Sequence, residues 1–326
     1  MKRFKASVII PNWNGEKLLK DCLSSLTKQT YKNFEIIVVD NDSTDDSVEF
    51  INKFYPSIKL IRLNKNYGFA KAINEGARNS NADYVVFLNN DTYVDKNWLK
   101  SLVVYAEKYP EAISINSKLL NYYNHSKIDG VGILINEVGQ AKSLGWEEED
   151  KGQYDRVKYI FGATAGAALF KRLDFIKVGM FDEDYFMYSE EVDFAFRAQF
   201  LNYKSIYCPS AIVYHKHKAT AKRLPQLLEY WQFRNMTQTI IKDFPTKVLL
   251  KKWRWLKIIL VHLNTILYQL KNGFLWPPIL SDLWILFHLP YLLKERVRIQ
   301  KNKKVDDSYI ESFFVEKKIT FWGLLR

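Results

Sequence analysis

Four short stretches of this chain concentrate side-chain oxygens: PNWNG at positions 11–15, DNDSTDD at 40–46, NKNYG at 64–68 and NNDTYVD at 89–95. Amide and carboxylate oxygens hydrogen-bond hydroxyl-rich ligands and coordinate hard cations. Mg²⁺ or Mn²⁺ held by such oxygens usually keeps positions for substrate phosphates. Taken singly, each cluster is adequate turn and helix-cap chemistry. The stretch YSEEVDFAFR is harder to explain that way. Ser189 can cap a helix whose first turn holds Glu190, Glu191 and Asp193, and Asp193 can pair with Arg197 one turn on. That leaves Glu190 and Glu191, which a regular helix points in different directions, so that they share no partner.

The segments between the clusters say how they are positioned. ASVII, FEIIVVD, IKLIRL and YVVFL are short apolar runs, and they alternate with EKLLKDCLSSLTKQ, SVEFINKF and FAKAINEGARN, which have helical period. Strands alternating with helices of this length imply an α/β fold with right-handed crossovers and a sheet covered on both faces. Ligands of such sheets bind beyond the carboxyl ends of the strands, and each oxygen-rich cluster follows a strand. Four clusters converging on one edge make a site of what would otherwise be four turns. A dinucleotide oxidoreductase is excluded, because PNWNGEK has no G-x-G-x-x-G to bring backbone against a pyrophosphate. A phosphate-bearing ligand here needs its charge met by another means, and a divalent cation on Asp91 would do it.

Residues 6–218 resemble the family-2 inverting glycosyltransferases, whose nucleotide-sugar-binding fold is called GT-A. SVIIPNWNGEKLLKDCLSSLTKQTY, EIIVVDNDSTDDS, NYGFAKAINEGAR and NNDTYVD carry the resemblance, in that order. The fold it implies is a Rossmann-like mixed sheet flanked by helices. The family's Asp-x-Asp metal motif reads Asn89-Asn90-Asp91 here, so Asn89 offers only a neutral oxygen. Chains with that departure resemble rhamnosyltransferases acting with deoxythymidine-diphosphate rhamnose (dTDP-rhamnose). The resemblance implies Mg²⁺ or Mn²⁺ on Asp91 and on His215 at the end of AIVYH, with His217 the alternative ligand. It implies Asp40 and Asn12 at base and ribose, and Asn66 and Lys71 near the nucleotide. Pro11, Asn14, Asn41, Asp42, Gly68, Asn89, Asn90 and Glu190 complete the substrate and nucleotide contacts. Glu191 falls at the second place of the family's Glu-Asp-x-Asp, the place of the general base, with one extra methylene. In FGATAGAALFKR, small residues such as Gly162 and Ala163 let backbone approach an acceptor sugar, or equally serve tight sheet packing.

Composition sets the remaining expectations. The chain has 326 residues, 48% of them hydrophobic, which suits one large domain plus an appendage. Cys22 and Cys208 form no zinc spacing and no disulfide framework, and core filling in a reducing compartment suffices for both. The net charge of +12 is uneven, since Val213 to Arg326 holds 21 Lys+Arg against 8 Asp+Glu. No secretory signal opens the sequence, which places the N-terminal part in the cytosol. We divide the chain into a catalytic domain at 1–222 and a helical, basic, membrane-associating region at 223–326. In the latter, KKWRWLKIILVHLNTILYQL and FLWPPILSDLWILFHLPYLL mix tryptophans with cations and prolines, as helices lying in an anionic headgroup plane do. No recognised nucleic-acid module accompanies the basic surface, so no nucleic-acid partner is expected. The whole reads as a metal-dependent enzyme at the cytoplasmic membrane face, extending a lipid-linked saccharide. The alternatives are another nucleotide sugar as donor, or a non-catalytic sugar-nucleotide-binding scaffold.

Overall fold

The alternation of apolar runs and helical segments closes into βαβ units in the computed structural model, which describes residues 3–216 and 224–316. The first half runs β1 (Ala6–Asn12), α1 (Glu16–Thr27), β2 (Phe34–Asp40), α2 (Ser47–Phe54), β3 (Lys59–Arg62), α3 (Gly68–Arg78) and β4 (Tyr84–Leu88). β1 pairs in parallel with β2 and β4, and β2 with β3, giving the spatial order β3-β2-β1-β4. Register sets Asn12 beside Asp40, so the first two clusters begin side by side.

The second half runs β5 (Thr92–Val94), α4 (Trp98–Lys108), β6 (Ala112–Asn121), β7 (Ile128–Gly130), β8 (Ile133–Asn136), β9 (Ala141–Ser143), β10 (Tyr159–Ile160), β11 (Ala167–Lys171), α5 (Arg172–Val178), α6 (Glu190–Phe200) and β12 (Lys204–His215). β11 lies antiparallel between β4 and β6, and β12 runs parallel to β6, so the sheet is mixed. Alternate residues of a strand face opposite sides, and the core divides accordingly. Val8, Ile10, Val38 and Val86 pack with Leu19, Leu23, Trp98 and Leu102 on the α1 and α4 side. Ile9, Ile37, Val39, Val85 and Phe87 pack with Ile73, Phe175 and Phe194 on the α3, α5 and α6 side. Continuous apolar runs were therefore the right signature of strands buried on both faces.

The C-terminal third is helical, as its sequence indicates: α7 (Pro225–Asp243), α8 (Thr246–Leu250), α9 (Arg254–Lys271), α10 (Trp276–Lys301) and α11 (Asp307–Glu311), then β13 (Phe314–Val315). Pro290 sits inside α10 without ending it. This third shares a core with the rest, in which Phe161, Phe196 and Phe200 meet Phe244, Ile299 and Ile310. β13 adds in parallel to β8, Phe314 opposite Ile135. Among the described residues no helix is long and apolar enough to cross a membrane.

Candidate active site

The polar clusters do converge on one sheet edge, and most of their side chains lock to one another. Asn12, 2% exposed, and Asp40, 1% exposed, are joined by an Asn12 Nδ2 to Asp40 Oδ1 bond of 3.2 Å. Ser43 closes the knot: its Oγ donates to Asp40 Oδ1 at 2.6 Å, and it accepts from Asn12 Nδ2 and from the Asn14 backbone N–H. Asn90 Nδ2 donates to Asn12 Oδ1 at 2.8 Å and so ties the end of β4 to the end of β1. Gly15 makes this approach possible, since a Cβ there would collide with Asn90 Nδ2 and Asn12 Oδ1. Asn14, Asn41 and Asn66 brace loop backbone: Asn14 Oδ1 accepts from Thr44 N, Asn41 bonds Gly68 O and Tyr67 N, and Asn66 Oδ1 accepts from Gly68 N. Pro11 is buried within β1, Asp42 is exposed, and Lys71 is held by Glu75 and Glu183 at 3.2 and 3.0 Å.

Asp91 and His215 meet because β5 begins one residue after Asp91 and pairs antiparallel with the end of β12, Thr92 opposite His215. The Lys216 backbone N–H then donates to Asp91 O at 2.9 Å. His215 Nε2 lies 3.1 Å from Asp91 Oδ1, while Nδ1 lies 2.7 Å from Asp129 Oδ2. A carboxylate behind the ring fixes its tautomer and orientation, a recurrent arrangement behind metal-ligating histidines. Burial disfavours the imidazolium, but Asp91 and Asp129 outweigh it and raise His215 to about 10. With its proton displaced by a cation, His215 Nε2 would join Asp91 Oδ1 as a donor pair that fits Mg²⁺ or Mn²⁺, with phosphate and water completing the shell. No group of three His, Cys, Asp or Glu with metal-holding geometry occurs among the described residues, and His217 lies outside them. Cys22, close to Thr92, is no ligand: burial pushes its thiol up to about 12. Asn89 hydrogen-bonds through its backbone to Gly166 O and Thr92 Oγ1, with its side chain beside Gly166.

The turn before α6 departs from expectation. Ser189 is the N-cap residue, but its backbone is left-handed at φ 66° and its side chain makes no capping bond. Tyr188 at φ 70° and Phe186 at φ 60° share that unfavourable half of the map, each at a cost on the order of 1–3 kcal/mol. Contrary to the sequence reading, Glu190 and Glu191 do not diverge into separate surroundings: their carboxyl groups lie near enough for each to shift the other's titration. Burial, then the neighbouring Glu191 charge, hold Glu190 well above the carboxylate range. Burial also raises Glu191, and its own backbone amide and then Glu190 oppose the rise. The Tyr188 phenol is pushed up by burial and then by Glu190, Asp91 and Glu191, so one ring senses both acidic centres.

Asp193 is fully buried, 2.5 Å from Arg197 as the spacing indicates and 2.7 Å from Lys242 of α7, which the sequence did not disclose. Burial opposes its charge, but the two cations lower Asp193 to about 2. Because the folded value lies below the unfolded one, this stabilisation is present above about pH 4 and is lost as pH falls through about 2. Asp193→Ala takes its carboxylate from buried Arg197 and leaves Lys242 with Asp182, and is expected to cost about 3–5 kcal/mol, read from the urea midpoint. A loss under about 1 kcal/mol would show that the pair is solvent-relaxed.

The FGATAG segment packs more than it presents. A Cβ on Gly162 would stand 2.5 Å from Ala195 Cβ of α6, and Ala163 is a core residue. Sequence reasoning missed Ser43, Asp129, Arg234 and Asn235, whose roles depend on partners far away in the chain, Asn12 in the case of Ser43.

A family model described as "Glycosyl transferase family 2" matches residues 7–179, more than half of the chain. An uncharacterized glycosyltransferase of Rickettsia typhi is 30% identical over 234 residues, 69% of this chain and 68% of that protein. The O-antigen biosynthesis protein RfbC of Myxococcus xanthus is 26% identical over 239 residues, 70% of this chain and 18% of that protein. In fold, the chain is similar to a mannosyltransferase of Pyrobaculum calidifontis solved with GDP-Man and Mn²⁺. The TM-score is 0.55 at 17% identity, over 92% of this chain and 86% of that one. Against the first curated relatives that match, the chain spans 18% and 41% of their own lengths.

Proposed function

Because the chain belongs to glycosyl transferase family 2, we propose that it is an inverting, divalent-cation-dependent glycosyltransferase moving L-rhamnose from dTDP-rhamnose to a lipid-linked saccharide. The observation that carries the reading is the approach of Asp91 Oδ1 to His215 Nε2, 3.1 Å apart, beside the sheet edge where Asn12, Asp40 and Asn90 interlock. Asp91 Oδ1 and His215 Nε2 would hold Mg²⁺ or Mn²⁺, and such a cation, when bound, supplies positive charge against a diphosphate leaving group. Asn12 and Asp40, fixed by Ser43, would meet the nucleoside. Glu191 would accept the proton of the acceptor hydroxyl as that oxygen bonds to the anomeric carbon. The bond from that carbon to the diphosphate breaks, its electron pair leaves with the phosphate oxygen, and configuration inverts. Asn89 in place of an aspartate supports the rhamnose donor by resemblance alone. Titration calorimetry with a panel of nucleotide sugars, with and without Mn²⁺, tests it: dTDP-rhamnose is expected to bind most tightly, and tighter binding of another sugar would reassign the donor.

We also place the enzyme at the cytoplasmic membrane face, in cell-surface polysaccharide synthesis. An exposed stripe of Leu256, Leu260, Leu263, Leu267 and Leu270 on α9 supports this, as does Ile279, Leu283, Leu286, Leu293 and Val297 on α10. Their spacing keeps each set on one helix face. Lys252, Lys271, Lys294 and Arg298 are exposed around them, suited to anionic headgroups. The full chain is expected to co-sediment with phosphatidylglycerol vesicles in a salt-sensitive way and poorly with phosphatidylcholine. Replacing Leu286 and Phe287 by Ser should weaken it, and equal sedimentation of variant and wild type would dismiss this face.

A further inference from the structure

Helix α7 buries a polar face. Arg234, Asn235, Gln238, Thr239, Lys242 and Asp243 are all turned inward, with Phe233 the one large apolar side chain among them. Helices ordinarily bury an apolar stripe, and buried polar groups are tolerated where hydrogen bonds satisfy them. Here the bonds by which Arg234, Asn235 and Thr239 leave the helix fall on one segment, the turn before Glu190, while Lys242 pairs with Asp182 and Asp193. Asn235 Nδ2 reaches three of that turn's backbone carbonyls: Tyr185 O at 2.9 Å, Met187 O at 2.8 Å and Tyr188 O at 2.7 Å. The amide can sit only this way round, because its Oδ1 accepts from Arg234 Nε, Arg234 Nη2 and Gln238 Nε2. Arg234 Nη2 also donates to Asp184 O at 2.6 Å, the Tyr185 hydroxyl lies 2.7 Å from Thr239 Oγ1, and Trp231 stacks on Phe186 at 4.6 Å.

The segment so held contains the left-handed residues Phe186, Tyr188 and Ser189, a conformation that persists only where its surroundings over-determine it. Ser189 begins α6 without a side-chain cap, and Glu190 and Glu191 are the next two residues. Whatever sets this turn sets the direction in which those carboxyl groups leave the helix.

We propose that Asn235 is a positioning residue for Glu191: by gripping the carbonyls of Tyr185, Met187 and Tyr188 it fixes the strained turn that aims the base at the acceptor hydroxyl. The inference rests on the reading of Glu191 as that base. The test uses the full chain and the nearly isosteric Asn235→Asp, which replaces the donor amide by an oxygen facing three carbonyls, with Asn235→Ser as a milder variant that keeps one hydroxyl donor. Misplacing a catalytic group by about 1 Å costs on the order of 10²-fold. Asn235→Asp is therefore expected to lower kcat by about that factor, and Asn235→Ser by about tenfold, with donor KM and donor affinity within about twofold of wild type. Introduced into Glu191→Gln, either substitution should cost nothing further, because the group it positions is already gone. Wild-type kcat in a folded Asn235→Ser protein, or an undiminished loss in the Glu191→Gln background, would overturn the proposal while leaving Glu191 as base. Wild-type turnover in Glu191→Gln alone would instead remove the base reading, and this inference with it.

Discussion

Glu191→Gln is expected to bind nucleotide sugar and cation as the wild type does and to lose about 10²- to 10⁴-fold in kcat, the usual effect of removing a general base. That corresponds to roughly 3–5 kcal/mol in the barrier. The structure sharpens the expectation through the neighbouring residue. Burial and the neighbouring Glu191 hold Glu190 well above the carboxylate range, and a glutamine at 190 keeps the reach of that side chain without a charge. Glu190→Gln should accordingly keep turnover within about tenfold of wild type, whereas Glu191→Gln leaves an amide that cannot take the acceptor's proton. Glu191→Asp should fall between, since its carboxylate retreats by about one bond from both Glu190 and the acceptor. A dead Glu190→Gln protein beside an active Glu191→Gln protein would put the base one residue earlier.

Asp91→Ala should abolish transfer, a loss of about 10³-fold or more, because several kcal/mol of charge stabilisation depend on the cation it would hold. Asn89 adds no charge, so the side-chain contribution falls on one carboxylate and one imidazole. The fold should survive the change: the Lys216 N–H bond goes to the Asp91 backbone oxygen, and His215 keeps Asp129. Thermal denaturation checks the fold, and Mn²⁺ titration with product release checks the function. An active Asp91→Ala protein, or full wild-type activity in chelator, would sink the cation requirement.

The two substitutions probe parts of the site that were unequally legible in the sequence. Strands β1 to β4 and the polar residues that close them could be read directly, since uninterrupted apolar runs have few alternatives to a strand buried on both faces. Asp91 and His215 were visible as strand-end residues. What brings them together, β5 folding back on β12, was not, for a three-residue strand leaves no periodicity to detect. Asp129 was invisible for a related reason, lying 86 positions from the histidine it orients. The approach of Glu190 to Glu191 was misjudged because the helix was taken to start regularly, and nothing in FMYSEE announces three left-handed residues. The grip of Asn235 on that turn spans about as much chain as a small domain and depends on a helix whose buried face is polar, the reverse of the pattern by which helices are recognised.

The pairing of β8 with β13 joins Ile135 to Phe314, and with it the core in which Phe161 and Phe196 meet Ile299 and Ile310 can close only after Phe314 has left the ribosome. The β1–β4 half has no such wait, because its partners are local in sequence. During synthesis this protein should therefore pass through a state with β1 to β4 paired and an open aromatic flank bordered by an unpaired strand, the kind of surface that recruits chaperones or aggregates. Closing so long a loop is slow. C-terminal deletions should then lower soluble yield before they affect any property of the folded enzyme.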